Sequence, residues 1–247
     1  MLKIIKNNIN IDLDYNGIKI LQSNNSNLFY KDVILDSSIY IDDYKIKNEN
    51  IIYINNFSQL KDFMNLTKKS NIFLRIIELL FEYKIINYEN INQIINIINN
   101  EYQYELLEIN EGDNSKLISM FFELLNNKYL DQNLLEIILN NVFDDKKLII
   151  LDNIEWINLE FLSKFLNQHY FLVLTNNFEK YIQNYKELEI LTIIKNNYDY
   201  FDVLDINHLC VYLQSELNIN IDHNNIVELL HKNDINSQFI LWKLNNI

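Results

Sequence analysis

The chain has 247 residues, with 49% hydrophobic and 22% charged, which suits one substantial globular domain, or a core with an appendage, and excludes a disordered chain. The formal net charge of −13 argues against a protein that coats nucleic acid through a generally basic surface, although it leaves room for a local basic stripe on an acidic body. Composition is skewed: 43 Asn and 42 Ile, no proline and two glycines, Gly17 and Gly112, so abundant Asn and Lys carry little functional information, whereas the scarcity of Gly does.

The N-terminus, Met1-Leu2-Lys3-Ile4-Ile5-Lys6, carries no signal-peptide pattern. No apolar run reaches the roughly 18 residues of a membrane helix, so an intracellular, cytoplasmic protein without a membrane partner is expected. Ile9 to Asp14 alternates apolar and polar, the period of a half-buried strand. Tyr15-Asn16-Gly17 reads as a turn and Gly17 to Leu21 as a second strand, which together predict a hairpin. Asn24 to Leu35 reads as a helix, and Tyr40-Ile41-Asp42 and Ile51 to Ile54 read as strands. Residues 58–109 are helical in pattern, with Ile91, Ile94, Ile95 and Ile98 on one face. A polar loop, Asn110 to Ser115, leads to further helices through Leu117, Met120 and Phe121, then Leu134, Leu135, Ile138 and Leu139. Leu148 to Leu151 and Phe171 to Leu174 are unalternating apolar strands separated by a helix near Leu159 to Asn167, the pattern of a parallel unit buried on both faces. From Asp202 to Ile247 the spacing is helical.

The two apolar strands end in polar residues. Leu148 to Leu151 followed by Asp152 resembles a Walker B element, whose carboxylate holds a magnesium-bound water; Phe171 to Leu174 followed by Thr175 and Asn176 resembles a sensor strand. A phosphate loop needs glycines so that backbone N–H groups can wrap the phosphates, and a Lys to reach them. After Ile18 to Leu21 the chain reads Gln22-Ser23-Asn24-Asn25-Ser26-Asn27-Leu28-Phe29-Tyr30-Lys31-Asp32, with no glycine and no Ser or Thr after the lysine. Nucleotide hydrolysis is therefore not expected. His208 with Cys210, and His223 with His231, lack zinc spacing; His169 stands alone, and Cys210 reads as a small buried hydrophobe. Glu101, Glu105, Glu108, Glu111 and Asp113 form an acidic cluster of the oxygen-donor type calcium takes, without EF-hand spacing. Lys31, Lys45, Lys47, Lys61, Lys68, Lys69 and Arg75 concentrate the basic residues between positions 31 and 75, where a shared concave wall would follow a DNA backbone.

The stretch from Leu117 to Asp202 resembles the accessory spacer-acquisition family of type II-A CRISPR systems, the product of their fourth cas gene. The likeness lies in Asp145-Lys146-Lys147 before the apolar strand, in Asp152-Asn153 after it, in Phe171 to Leu174 and in Tyr198-Asp199-Tyr200-Phe201; Gly17 to Leu21 resembles the family's early strand. The resemblance implies a degenerate P-loop-NTPase-like α/β head with a parallel sheet core (residues 1–66 and 111–202), an inserted helical leg (67–110) and here a helical C-terminal extension (203–247). It implies a non-enzymatic homotetrameric ring that threads linear double-stranded DNA ends, calcium as support with Glu105, Glu108, Glu111 and Asp113 as candidate ligands, and no nucleotide. Expected partners are the spacer integrase complex and the RNA-guided effector nuclease. Two alternatives remain at this point: an atypical P-loop-like ATPase centred on Asp152 and Thr175, and a helical protein-interaction module without a DNA role.

Overall fold

The computed structural model describes residues 1–64, 70–83, 88–102, 128–143, 145–195 and 198–203, then only residues 207, 209–211, 214 and 228. Two compact units are present: Met1–Ser58 with the chain from Leu130 onward, and Gln59–Tyr129.

The first unit holds two sheets. Strands β1 (Leu2–Lys6), β2 (Ile9–Leu13), β4 (Ser38–Ile41) and β5 (Tyr44–Lys45) form an antiparallel sheet in the order β2-β1-β4-β5. Its turns rest on residues that tolerate positive φ: Asn7 at 53° between β1 and β2, and Asp42 and Asp43 at 48° and 67° between β4 and β5. Six strands form the second sheet: β3 (Ile18–Gln22), β6 (Ile51–Asn55), β7 (Leu148–Asp152), β8 (Tyr170–Thr175), β9 (Leu191–Ile194) and β10 (Tyr200–Asp202), in the order β10-β9-β3-β8-β7-β6. All neighbours run parallel except the edge strand β10. β3, β7 and β9 are buried throughout and β8 nearly so, which is why Leu148 to Leu151 of β7 and Phe171 to Leu174 of β8 run apolar without alternation, while β3 and β9 also bury the polar Lys19, Gln22 and Thr192.

The expected hairpin between residues 9–14 and 17–21 does not form. β2 pairs with β1, Ile4 opposite Ile11, while β3 enters the central sheet between β8 and β9. Gly17, at φ 92°, serves that entry rather than a hairpin: its carbonyl accepts the Phe171 N–H at 2.8 Å, and a Cβ there would sit 3.3 Å from Leu166 Cδ2. The expected helix over Asn24 to Leu35 is instead a short helix α1 (Ser26–Phe29), capped by Asn25 through the Leu28 N–H, running into a π-helical turn, Tyr30–Ile34. Lys6 Nζ donates to the Lys31 and Leu35 carbonyls at 2.8 and 2.6 Å and so satisfies the acceptors of that turn.

One face of the six-stranded sheet packs against the four-stranded sheet and the π turn through Leu2, Ile4, Ile11, Val33, Leu148 and Leu172. Beyond β6 come helix α2 (Asn71–Glu82) and helix α3 (Tyr88–Tyr102) of the second unit, then helix α4 (Gln132–Asn141) and helix α5 (Leu159–Ser163) of the first. α4, capped by Asp131, buries Leu135, Ile138 and Leu139 at helical spacing; α5, capped by Asn158, links β7 to β8.

The second unit begins with a 3₁₀ turn, Leu60–Asp62, and is closed at its neck by the Gln59–Tyr129 bridge and a Leu60 N–H to Lys128 carbonyl bond of 3.0 Å. α2 buries Phe73 and Leu80, with Ile76 and Ile77 packed against them; α3 exposes Ile94 and Ile97. The unit takes in the 67–110 segment expected as a leg. The helix expected to start at Asp202 does not start there, because Asp202 ends β10; most of the 203–247 extension lies outside the described residues. Among the described residues no helix is long and apolar enough to cross a membrane.

Candidate functional site

Parallel strands aim their carboxyl ends at one edge of the sheet, the edge where α/β folds bind ligands. Gln22 of β3, Asp152 of β7 and Thr175 of β8 all end there. Pleat parity puts Asp152 on the face of Leu148 and Ile150, under α1 and the π turn.

Asp152 is 4% exposed, and its oxygens are saturated by neutral donors. Ser26, the first residue of α1, donates its hydroxyl to Oδ1 at 2.5 Å; Tyr53 of β6 donates to Oδ2 at 2.6 Å; Asn153 Nδ2 donates to Oδ1 at 3.1 Å. Asn153 also donates to Ser26 Oγ, and sits at φ 52°, a conformation Asn tolerates better than most residues. Its Oδ1 accepts the Asn176 N–H at 2.9 Å, and Asn176 Oδ1 accepts the Ser26 N–H at 2.9 Å. Gln22 completes the lattice by donating to the Asn176 carbonyl at 2.5 Å and accepting the Phe178 N–H at 2.8 Å. Burial, then the bond to Asp152, pushes the Tyr53 phenol well above its ordinary range; burial also raises the phenol of Tyr30, which stacks on Tyr53 at 3.9 Å.

The segment after β3, where a phosphate loop would cradle a triphosphate, is thus bonded to its own sheet. The Ser26 N–H, at the start of α1, is taken by Asn176 rather than pointing at open space. Thr175 Oγ1 accepts the Asn177 N–H at 3.0 Å, a local turn bond. Beside this lattice a cleft of about 300 Å³ opens over the tips of β6, β7 and β8, lined by residues including Asn56, Thr175, Asn176 and Asn177, with Glu155 and Lys180 ion-paired at it.

A second buried polar cluster was not legible in the sequence. Lys19, in the middle of β3 with a side chain 1% exposed, reaches across β9 to Asp202 of β10 at 2.5 Å. Asp202 also accepts the Thr192 hydroxyl at 2.7 Å and the Asp14 N–H at 3.2 Å. A lysine within an apolar strand reads as surface unless its distant carboxylate is known.

The remaining candidates are placed as follows. Lys31 lies on the π turn, Lys45 on β5, and Lys47 beyond it in an exposed 3.6 Å pair with Glu49. In the second unit Lys61 lies on the 3₁₀ turn and Arg75 on α2, paired with Glu78 at 2.8 Å. All five are exposed. Lys68 and Lys69, and the acidic residues Glu105, Glu108, Glu111 and Asp113, lie outside the described residues. Among the described residues no group of three or more His, Cys, Asp or Glu converges as a metal site. The double lysine has structural partners: Lys146 lies 3.9 Å over the Tyr170 ring and Lys147 donates to Asn50 Oδ1 at 2.5 Å. His169 is a satisfied core histidine, Nε2 against the Leu139 carbonyl at 2.9 Å and Nδ1 accepting the Lys147 N–H at 3.3 Å; Cys210 is buried.

Fold and site together define an α/β protein built on a mainly parallel sheet, with a self-bonded lattice at the carboxyl edge of its strands. A crystal structure of Stu0660 of Streptococcus thermophilus is similar to this chain, with a TM-score of 0.61 at 16% sequence identity, covering 99% of this chain and 92% of that one. No family model matches the chain, and no curated protein matches it. At that identity the likeness bears on the fold.

Proposed function

We propose that the protein is a non-enzymatic binder of linear double-stranded DNA ends, acting as a homotetrameric ring in CRISPR spacer acquisition. The observation that carries this reading is the lattice of Ser26, Asp152, Asn153 and Asn176 filling the place of a phosphate loop on a parallel sheet. A P-loop-like scaffold without a phosphate grip suits assembly and charge placement better than hydrolysis, in keeping with the motifs from Leu117 to Asp202. In this reading Lys31, Lys45, Lys47, Lys61, Lys68, Lys69 and Arg75 neutralise phosphates without reading bases. The pairs Lys47–Glu49 and Arg75–Glu78 are exposed and cost little to open for that purpose. Calcium at Glu105, Glu108, Glu111 and Asp113 supports the ring, and the partners are the spacer integrase complex and the RNA-guided effector nuclease.

The test is binding to linear and to closed circular duplex of one sequence across a salt series. Threading predicts binding to linear DNA only, with log K falling against log salt at a slope of about −0.9 per phosphate contacted. Equal affinity for the circle, or no salt slope, ends the proposal.

A further inference from the structure

A second cleft, of about 330 Å³, lies in the first unit between the β1–β2 turn and the β9–β10 turn. Asn8, Ile9 and Asn10 line one side of it, and Tyr198, Asp199 and Tyr200 the other. Both tyrosines are half-buried and packed against the core, while Asp199 is exposed. Their phenol protons are committed elsewhere: Tyr198 donates to Asp32 Oδ2 at 2.5 Å and Tyr200 to the Asp12 carbonyl at 2.9 Å. Tyr198 also holds φ at 66°, a conformation that bulky residues rarely adopt. Two backbone bonds pin it there, Tyr198 N–H to the Lys195 carbonyl at 3.0 Å and Lys195 N–H to the Asp199 carbonyl at 2.8 Å. Enforced strain of this kind is concentrated at ligand clamps and other functional sites. Among the described residues no lysine or arginine lines the cleft. Lys6, opposite Ile9 in the β1–β2 ladder, gives its ammonium to the Lys31 and Leu35 carbonyls. Asn10 donates Nδ2 to Asp12 Oδ2 at 3.1 Å, which leaves its amide oxygen as an acceptor. The walls thus combine a carboxylate, amide oxygens and two fixed rings, on a chain whose net charge of −13 favours cations.

We infer that this cleft takes a guanidinium group, the head of an arginine. A guanidinium is a flat cation that stacks on tyrosine rings and presents five N–H donors in a fixed fork. Tyr198 and Tyr200 supply the rings, and the Asp199 carboxylate and the Asn oxygens accept the donors. A carboxylate has about four acceptor sites, so Asp199 can take a ligand alongside its own contacts. A lysine ammonium would meet the carboxylate but is a compact, strongly hydrated charge that matches a ring less well. The arginine is either a free small molecule or a side chain of a protein partner. The site goes beyond the DNA-end reading and does not rest on it.

Titration of the full chain by ligand-observed NMR tests the inference, with arginine, citrulline and lysine each blocked as the Nα-acetyl amide, and with free arginine. Blocked arginine is expected to bind. Blocked citrulline, of the same shape without the charge, should bind about tenfold more weakly, and blocked lysine several-fold more weakly. Free arginine binding tighter than the blocked form supports a small-molecule ligand; blocked arginine binding at least as well supports a partner's side chain. Asp199→Asn should weaken blocked arginine about threefold and melt like the parent, since Asp199 is exposed. Tyr198→Gly, which removes the ring and relieves the positive φ, should weaken it about fivefold; if that variant does not fold, Asp199→Asn decides alone. No binding of blocked arginine, citrulline or lysine binding equally well, or Asp199→Asn leaving affinity unchanged each overturns the inference. Duplex binding is a separate readout, so the two proposals fail independently.

Discussion

Asp152 and Asp202 are both turned to the same face of the six-stranded sheet, and they are satisfied in opposite ways. Asp202 meets the Lys19 ammonium at 2.5 Å, with Thr192 and Asp14 filling its remaining acceptor sites. Asp152 meets only hydroxyls and an amide, from Ser26, Tyr53 and Asn153. The first ties the central strand β3 to the edge strand β10 across β9; the second ties a loop, a helix start and a neighbouring strand to one strand tip. Removing Lys19 leaves a lone carboxylate in the first case, whereas removing Asp152 leaves only hydroxyls and an amide without their acceptor in the second. Those outcomes differ severalfold in energy, because an unpaired charge in an apolar interior is far costlier than an unpaired hydroxyl.

The largest effect expected is therefore at Lys19. Lys19→Met should lower unfolding free energy by about 3–5 kcal/mol, read as a shift in the urea midpoint at constant slope. Adding Asp202→Asn, which keeps an acceptor for Thr192, should recover most of that loss. A single-variant cost no greater than that of Asp152→Ala would break the contrast. Next comes Asp152→Ala, with a loss of about 2 kcal/mol. Ser26→Ala acts on the same network, so the double variant should cost clearly less than the sum of the two singles, with a coupling of about 0.5–3 kcal/mol; strict additivity would show that the lattice does not act as a unit.

The smallest effect is read against pH and sharpens the comparison with a buried group that carries no charge partner. Burial, with Lys146 and Lys147 adding to it, holds the His169 imidazole below its ordinary value of 6.5. The unfolded chain then binds the proton first, so the contribution is complete above that value and is lost as pH falls through the window beneath it. His169→Phe should flatten the stability-against-pH curve between about pH 7 and pH 5 relative to the parent. An unchanged slope would assign that dependence to carboxylates instead.

The parts of the fold legible in the sequence are those whose residues report burial directly. Leu148 to Leu151 and Phe171 to Leu174 are continuous apolar runs because both faces of the central sheet are covered, and Asp152 and Thr175 stand where the runs end. Pairing was less legible. Gly17 looks like a hairpin turn, yet its positive φ serves the entry of β3 beside Phe171, while the actual β1–β2 turn falls on Asn7, one asparagine among 43. Nor does the sequence mark Ser26 as the partner of Asp152, since Gln22 to Asn27 holds two serines, Ser23 and Ser26, and no pattern distinguishes them. Lys19 and Asp202 lie far apart in the chain, and only the strand order β10-β9-β3 brings them within reach.

Tyr200 has a consequence for the outer edge of β2. β2 is the outer strand of the four-stranded sheet, and at Asp12 the Tyr200 phenol accepts the backbone N–H at 3.2 Å and donates to the backbone carbonyl at 2.9 Å. One side chain thus stands in for a neighbouring strand at the point where an incoming peptide would otherwise zip on. Losing that phenol would leave the Asp12 N–H and carbonyl open to an incoming strand, so a ring packed against the border of the core also blunts the outer edge of β2.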